Sequence, residues 1–224
     1  DDFENEDDFE IEGVVTAVTD ANNFVLSGIP VVTNAGTEFE PRGLVVVVGM
    51  EVEVEGNLVN GVLTATEVEQ EESLEIEAEV TALVDGGPDF VVLGLIIQVN
   101  QNGGTEVEGN YGVGSAVEVE AVDNGAGGFT ALEVEVEDDP IDRARIEGRV
   151  DSIGSNASGI GTFSIQGVTV SVGAGTDCED ANELPISCES FFSSLVVGDK
   201  VKATDRTFPF DFSDGDAREV SFED

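Results

Sequence analysis

The sequence predicts an all-β protein of three tandem antiparallel β-barrels, each of five or six short strands. Alternation is the first reason. In Gly49-Met50-Glu51-Val52-Glu53-Val54-Glu55-Gly56 carboxylates and valines take turns, and the spelling returns as "SLEIEAEV", "SAVEVEAV" and "ALEVEVED". Side chains on a pleated strand point alternately to opposite faces, so this period places Val52 and Val54 on one face and Glu51, Glu53 and Glu55 on the other. The second reason is a three-fold internal repeat. The third is punctuation: Asn, Asp and Gly turns separate about five strand candidates in each repeat, and no stretch keeps helical periodicity beyond about one turn.

The repeats open with "EIEGVVTAV" (10–18), "EIEAEVTAL" (75–83) and "RIEGRVDSI" (145–153), followed by "NNFVLSGIPVVTN", "PDFVVLGLIIQVN" and "GTFSIQGVTVSVG". Phe24, Phe90 and Phe163 correspond. Each repeat passes through a threonine-acid step (Thr37-Glu38, Thr105-Glu106, Thr176-Asp177) to a glycine (Gly49, Gly114, Gly198) and then the alternating strand. They close with "GVLTATEVEQ", "GGFTALEVEV" and "GDAREVSFED". A period of roughly 65 to 80 residues suits a small domain that buries its own core. Five or six short antiparallel strands close most economically into a barrel, since closure removes unpaired edges, and an OB-like or similar barrel is expected. The expected division is an acidic N-terminal extension at 1–9 and barrels at 10–72, 73–139 and 140–224, the last with a cysteine-containing insertion. Short acidic linkers near 70–73 and 137–142 would string the barrels closely.

The stretches "IEGVVTAV" (11–18), "VGMEVEVEG" (48–56) and "NGVLTATEVE" (60–69) resemble the tandem unit of a bacterial domain-of-unknown-function family, five-six-six-six. The resemblance covers nearly the whole chain and is looser in the third repeat, where "VGDKVKATD" (197–205) keeps the frame but not the acids. It implies small β-barrels in secreted or lipid-anchored proteins, and brings no catalytic residues with it.

Composition narrows the function. Acidic residues number 49 against 8 basic, a net charge of −41, and before residue 142 the sole cation is Arg42. Such a surface repels phosphate backbones and anionic headgroups, so nucleic acid is not an expected partner. No window approaches the roughly 18 apolar residues of a membrane-spanning helix, so this segment is not expected to insert directly into a bilayer. There is no histidine, which removes the usual general base and the commonest zinc ligand, and there is no "GxxxxGK" phosphate loop. Without tryptophan and with Tyr111 as the single tyrosine, the chain also lacks the flat platforms on which sugars rest. No enzyme is expected.

Cys178 and Cys188 are the only cysteines and lie close together, a spacing that reads as one local disulfide formed in an oxidising compartment. The loop that holds them is long: Thr176 to Gly198 spans 22 positions, against 12 from Thr37 to Gly49 and 9 from Thr105 to Gly114. The first residue is Asp1, as in a processed product whose leader, lipidated or not, has been removed. An extracellular or cell-surface location is expected.

Carboxylates on one strand face sit about 7 Å apart along the strand and about 5 Å apart across it, and hard cations such as calcium relieve their repulsion through all-oxygen ligation. The sharpest loop is "DFSDGDA" (211–217), where Asp211, Asp214 and Asp216 flank Gly215, although its spacing departs from a calcium-hand frame. An acidic turn is more often only a turn, and an anionic coat also serves solubility and resists wrong strand pairing without any ligand.

The informative positions are those that break the acidic rule. In the second repeat Val91, Leu93 and Ile96 should point away from the core defined by Phe90, Val92, Leu95, Ile97 and Val99. "GLVVVVGM" (43–50) breaks the rule in the first repeat, and "TFPFDFSD" (207–214) puts Phe208, Phe210 and Phe212 on one side of a segment that Pro209 keeps out of a central strand. These patches pack either unit against unit or molecule against molecule. In "DDFENEDDFEIEG", Phe3 and Phe9 share the parity of Ile11, so the segment either extends the first barrel or adds as a strand to a neighbouring molecule. The resulting expectation is a non-enzymatic, secreted or cell-surface structural protein that self-assembles as a homo-oligomer or filament through strand addition and apolar patches. The alternative is a monomeric module that binds calcium or another divalent cation.

Overall fold

In a computed structural model the residues described are 9–40, 44–71, 74–100, 104–124, 128–137, 141–207, 209–214 and 217–223. The chain divides into two compact units, 1–72 and 73–224. The first repeat forms one unit; the second and third together form the other.

In the first unit β1 (Phe9–Asp20) is long enough to serve two neighbours. Its second half pairs antiparallel with β2 (Asn23–Leu26), which turns at Ser27-Gly28 into β3 (Ile29–Val32). Both turn residues have positive φ, 47° and 89°, the conformation that matches the right-handed twist of a two-residue hairpin. A short β4 (Glu38–Glu40) follows, then β5 (Glu51–Val59) and β6 (Val62–Gln70), joined by the Asn60-Gly61 turn. The first half of β1 pairs with β5, from Phe9 opposite Gly56 to Val14 opposite Glu51. Parallel pairing of β3 with β6, Val31 opposite Leu63, closes the five-stranded barrel β1-β2-β3-β6-β5. Val52 and Val54 are fully buried, while Glu51, Glu53 and Glu55 keep solvent contact, as the alternation predicts. Val15, Phe24, Leu26, Val31, Leu63 and Val68 complete the core.

The second repeat follows the same plan with β7 (Leu74–Leu83), β8 (Phe90–Val92), β9 (Leu95–Gln98), β10 (Glu106–Glu108), β11 (Ala116–Asp123) and β12 (Phe129–Val136). Its ring is β7-β8-β9-β12-β11, closed by the parallel pair Phe129–Ile97. The third repeat contains β13 (Ala144–Ala157), β14 (Ile160–Ile165), β15 (Val168–Val172), β16 (Asp177–Glu179), β17 (Pro185–Ile186), a helix α1 (Cys188–Ser194), β18 (Lys200–Asp205) and β19 (Glu219–Phe222). The segment before β19 lies beside β15, where the Ser171 N–H donates to the Phe212 carbonyl at 2.7 Å.

The seven-residue α1 exceeds the single turn allowed by the sequence reading. The Ser187 side chain caps it by accepting from the Ser190 N–H, and its Phe191 and Phe192 are buried against Phe163 and Phe222. A helix this short gains its stability from that packing and from the cap. The Cys178–Cys188 disulfide, with Cα atoms 5.3 Å apart, ties its first residue to β16.

Candidate functional site: a strand edge used and reused

In a barrel of this plan the opening strand pairs with one neighbour along its first half and with the other neighbour, on the opposite edge, along its second half. The first half is thus left with one free edge. In the second unit that edge is used. β7 and β13 pair antiparallel, with Arg145 opposite Glu77, Ile146 opposite Ile76, Glu147 opposite Glu75 and Gly148 opposite Leu74. The two barrels therefore share one sheet, and their buried residues form one core cluster.

Charge follows this join. On its outer face the Arg145 Nη2 lies against Glu75 and 3.1 Å from Glu118 Oε1, so one guanidinium links the two acidic strands of the second barrel. Its Nε is buried without a hydrogen-bond partner. Arg143 donates from Nε and Nη2 to Glu77 Oε2 at 3.2 and 3.1 Å. Lys200 approaches Glu147 at 3.3 Å, and Lys202 approaches Glu223 at 2.7 Å. Arg143 and Arg145 thus neutralise carboxylates of the second repeat at the join, and Lys200 and Lys202 neutralise acids of the third repeat itself.

In the first unit the corresponding residues Glu10-Ile11-Glu12 pair, among the described residues, with β5 alone. Phe9, Ile11 and Gly13 are only half-buried, whereas Leu74, Ile76 and Ala78 of β7 are at most 1% exposed. Glu10, Glu53 and Glu55 offer carboxylate oxygens within 4.8 Å of one another. Burial and then the neighbouring Glu10, Glu69, Glu55 and Glu12 hold the Glu53 carboxyl above the usual carboxylate range. Glu67 and Glu133 are raised in the same way, by burial first and by ladder neighbours second.

The residues singled out in the sequence fall in several places. Phe9 starts β1 opposite Gly56 and packs against the first barrel's own core; Phe3 lies outside the described residues. Val91 is half-buried in β8, and Ile96 is exposed on β9. Leu93 sits in the left-handed region at φ 47° in the β8–β9 turn and packs against the core. It lines a groove of about 560 Å³ with Glu79, Thr81, Thr169, Phe210, Asp211 and Phe212, so residues from distant parts of the sequence meet between the second and third barrels. Phe212 is buried at 2%, Phe210 is half-buried, and Phe208 lies outside the described residues. In the first barrel Leu44 and Val46 reach the core, and Val45, Val47 and Val48 are exposed.

Asp211 accepts from the Ser213 N–H at 2.9 Å and its hydroxyl at 2.6 Å, bonds that hold its carboxyl below the usual range. The Asp214 N–H donates to the Asp211 carbonyl, and Asp216 lies outside the described residues. The organiser of this loop is the fully buried Asp205, which accepts from the N–H groups of Thr207 and Asp211 at 2.8 and 2.9 Å. Only its position at the end of an alternating strand marked it in the sequence.

The family model described as Domain of unknown function (DUF5666) matches at residues 12–69, 77–135 and 147–204, well over half of the chain. The chain belongs to this family. Each DUF5666 match begins within the opening strand of a repeat, and the third ends before β19. No curated protein matches. A solved structure titled "drosophila Unr CSD456" is similar at 12% identity over 96% of this chain and 95% of that chain, with a TM-score of 0.29, a superposition too loose to carry inference. No helix among the described residues is long and apolar enough to cross a membrane.

Proposed function

We propose that this DUF5666 protein is a non-enzymatic structural subunit of a secreted or cell-surface assembly, in which barrels join through the free edge of their opening strands. The observation behind this reading is the β7–β13 ladder, which merges two barrels into one sheet and one core. Main-chain pairing supplies a join that any barrel of this plan can make, and the side chains beside it decide which barrels pair. The Cys178–Cys188 disulfide supports an oxidising location. Sedimentation and electron microscopy of the purified chain over a wide concentration range, alone and with extracellular fractions, test the reading: assembly with new amide protection at an opening strand is expected, and a chain that stays monomeric and unprotected throughout contradicts it.

A second reading, a monomeric calcium or divalent-cation module, draws on the Glu10–Glu53–Glu55 convergence. A melting temperature that rises with millimolar calcium at constant ionic strength, without a change in mass, would favour it.

A further inference from the structure

We infer that the open edge of β1 receives an antiparallel strand that sets an arginine or lysine opposite Glu12 and an aliphatic residue opposite Ile11. The inference deepens the edge-joining function proposed above by naming the partner's chemistry. It starts from equivalence: Glu10-Ile11-Glu12 of β1 and Glu75-Ile76-Glu77 of β7 occupy the same place in their barrels, and Glu53 of β5 stands to Glu12 as Glu118 of β11 stands to Glu77. In the second unit the guanidinium of Arg145 bridges Glu75 and Glu118. Their counterparts, Glu10 and Glu53, are two of the three carboxylates that converge within 4.8 Å in the first unit. The cluster is thus the counterpart of an arginine-binding position whose occupied form exists in the same chain.

Apolar surface points the same way. Ile76 is fully buried under its partner strand, whereas Ile11 retains solvent contact on an edge with no strand partner among the described residues. A strand in the register of β13 would set an aliphatic residue opposite Ile11 and a cation opposite Glu12, as Ile146 and Arg145 stand to Ile76 and Glu77. A second copy of β1 fits poorly. In that register Glu10 meets Glu12 twice, beside Glu53 and Glu55 and with no cation between them, and like charges directly opposed destabilise a ladder. By contrast, the one like-charged pair of the β7–β13 ladder, Glu147 opposite Glu75, has Arg145 against Glu75 and Lys200 at 3.3 Å from Glu147. The acidic edge therefore disfavours its own copy and selects a basic strand.

The test uses the full chain and a fluorescent peptide with the sequence of residues 142–150, "DRARIEGRV". Saturable binding is expected at about 50 mM salt, with hydrogen-exchange protection gained over residues 9–13 and unchanged over 74–79. Replacing the three arginines by glutamate, or scrambling the order at constant composition, should weaken binding about ten-fold or more, as should Glu10→Gln with Glu53→Gln in the protein. The exchange map keeps the test valid if that variant refolds differently. Equal binding of the scrambled peptide, or protection at 74–79 instead, overturns the inference. Calcium-dependent dimerisation that protects 9–13 without any peptide overturns it in favour of a second copy, and leaves the edge-joining function standing. Absence of peptide binding together with absence of assembly removes both.

Discussion

Ile76 and Ile146 face one another across the ladder that joins β7 to β13, and neither has solvent exposure. Ile11 holds the same place in β1 and is half-buried, packed against the first core but still reached by solvent. The residue type is the same in all three strands, and the two that are fully buried are those with a described strand on both edges.

Ile146→Ala is expected to destabilise the second unit by about 2–4 kcal/mol, the usual cost of truncating a fully buried aliphatic side chain. Ile11→Ala should cost about 1 kcal/mol or less, because less apolar area leaves water there. Denaturant unfolding followed by region-resolved hydrogen exchange separates the two; equal costs would contradict the burial assigned to the ladder.

The arginines of the join should differ as well. Arg145 is mostly buried between two carboxylates, so Arg145→Ala strands Glu75 and Glu118 and should cost about 1–3 kcal/mol. Arg143 is 43% exposed and, among the described residues, meets Glu77 alone, so Arg143→Ala should change stability by about 1 kcal/mol at most. Thermal melts of the two variants in low and high salt check this, and salt should compress the smaller effect.

Barrels, hairpins and the inward set were legible because they rest on local rules: period two put Val52 and Val54 inside, and glycines at Gly28, Gly94 and Gly167 marked the turns. The β7–β13 join was not legible. Edge pairing uses main-chain groups that every residue has, and its side-chain trace, arginine in place of glutamate, read as a loose copy of the repeat instead of a complement to its neighbour. Helix α1 escaped because "CESFFSS" offers two adjacent phenylalanines and no period. Phe212 looked like surface in the sequence, but its loop folds back beside β15 and buries it.

The disulfide closes a short loop within the insertion, linking residues 10 apart. Cys178→Ser with Cys188→Ser, or reduction of the folded protein, should lower stability by about 2–3 kcal/mol through the released loop-closure entropy. The helix end and β16 should lose amide protection first, while the first unit keeps its melting behaviour. A variant as stable as the parent would show that Phe191 and Phe192 hold the insertion without the bond.

The ladder carboxylates set the pH response. Burial first, and neighbouring acids second, raise Glu53, Glu67 and Glu133 above their usual 4.5. The folded state then takes up protons at a pH where the unfolded chain does not yet, so it binds more protons and stability rises as pH falls from neutrality toward the folded-state range. Asp20 and Asp211 are lowered from 3.8 by hydrogen bonds, chiefly to Asn23 and Ser213, and their stabilising contribution is lost only below the ordinary aspartate range. Stability should therefore peak in mildly acidic solution, between these two regimes. At about 10 mM salt the melting temperature is expected to be higher at about pH 5 than at pH 7, and at about 1 M salt, where screening acts over about 3 Å, the gain should shrink. It should not vanish, because burial is the larger cause and salt leaves burial in place. A melting temperature that falls steadily from pH 7 to 5 at low salt would show that the carboxylate ladders do not repel in the folded protein, and would remove the electrostatic reason for β1 to prefer a basic strand over its own copy.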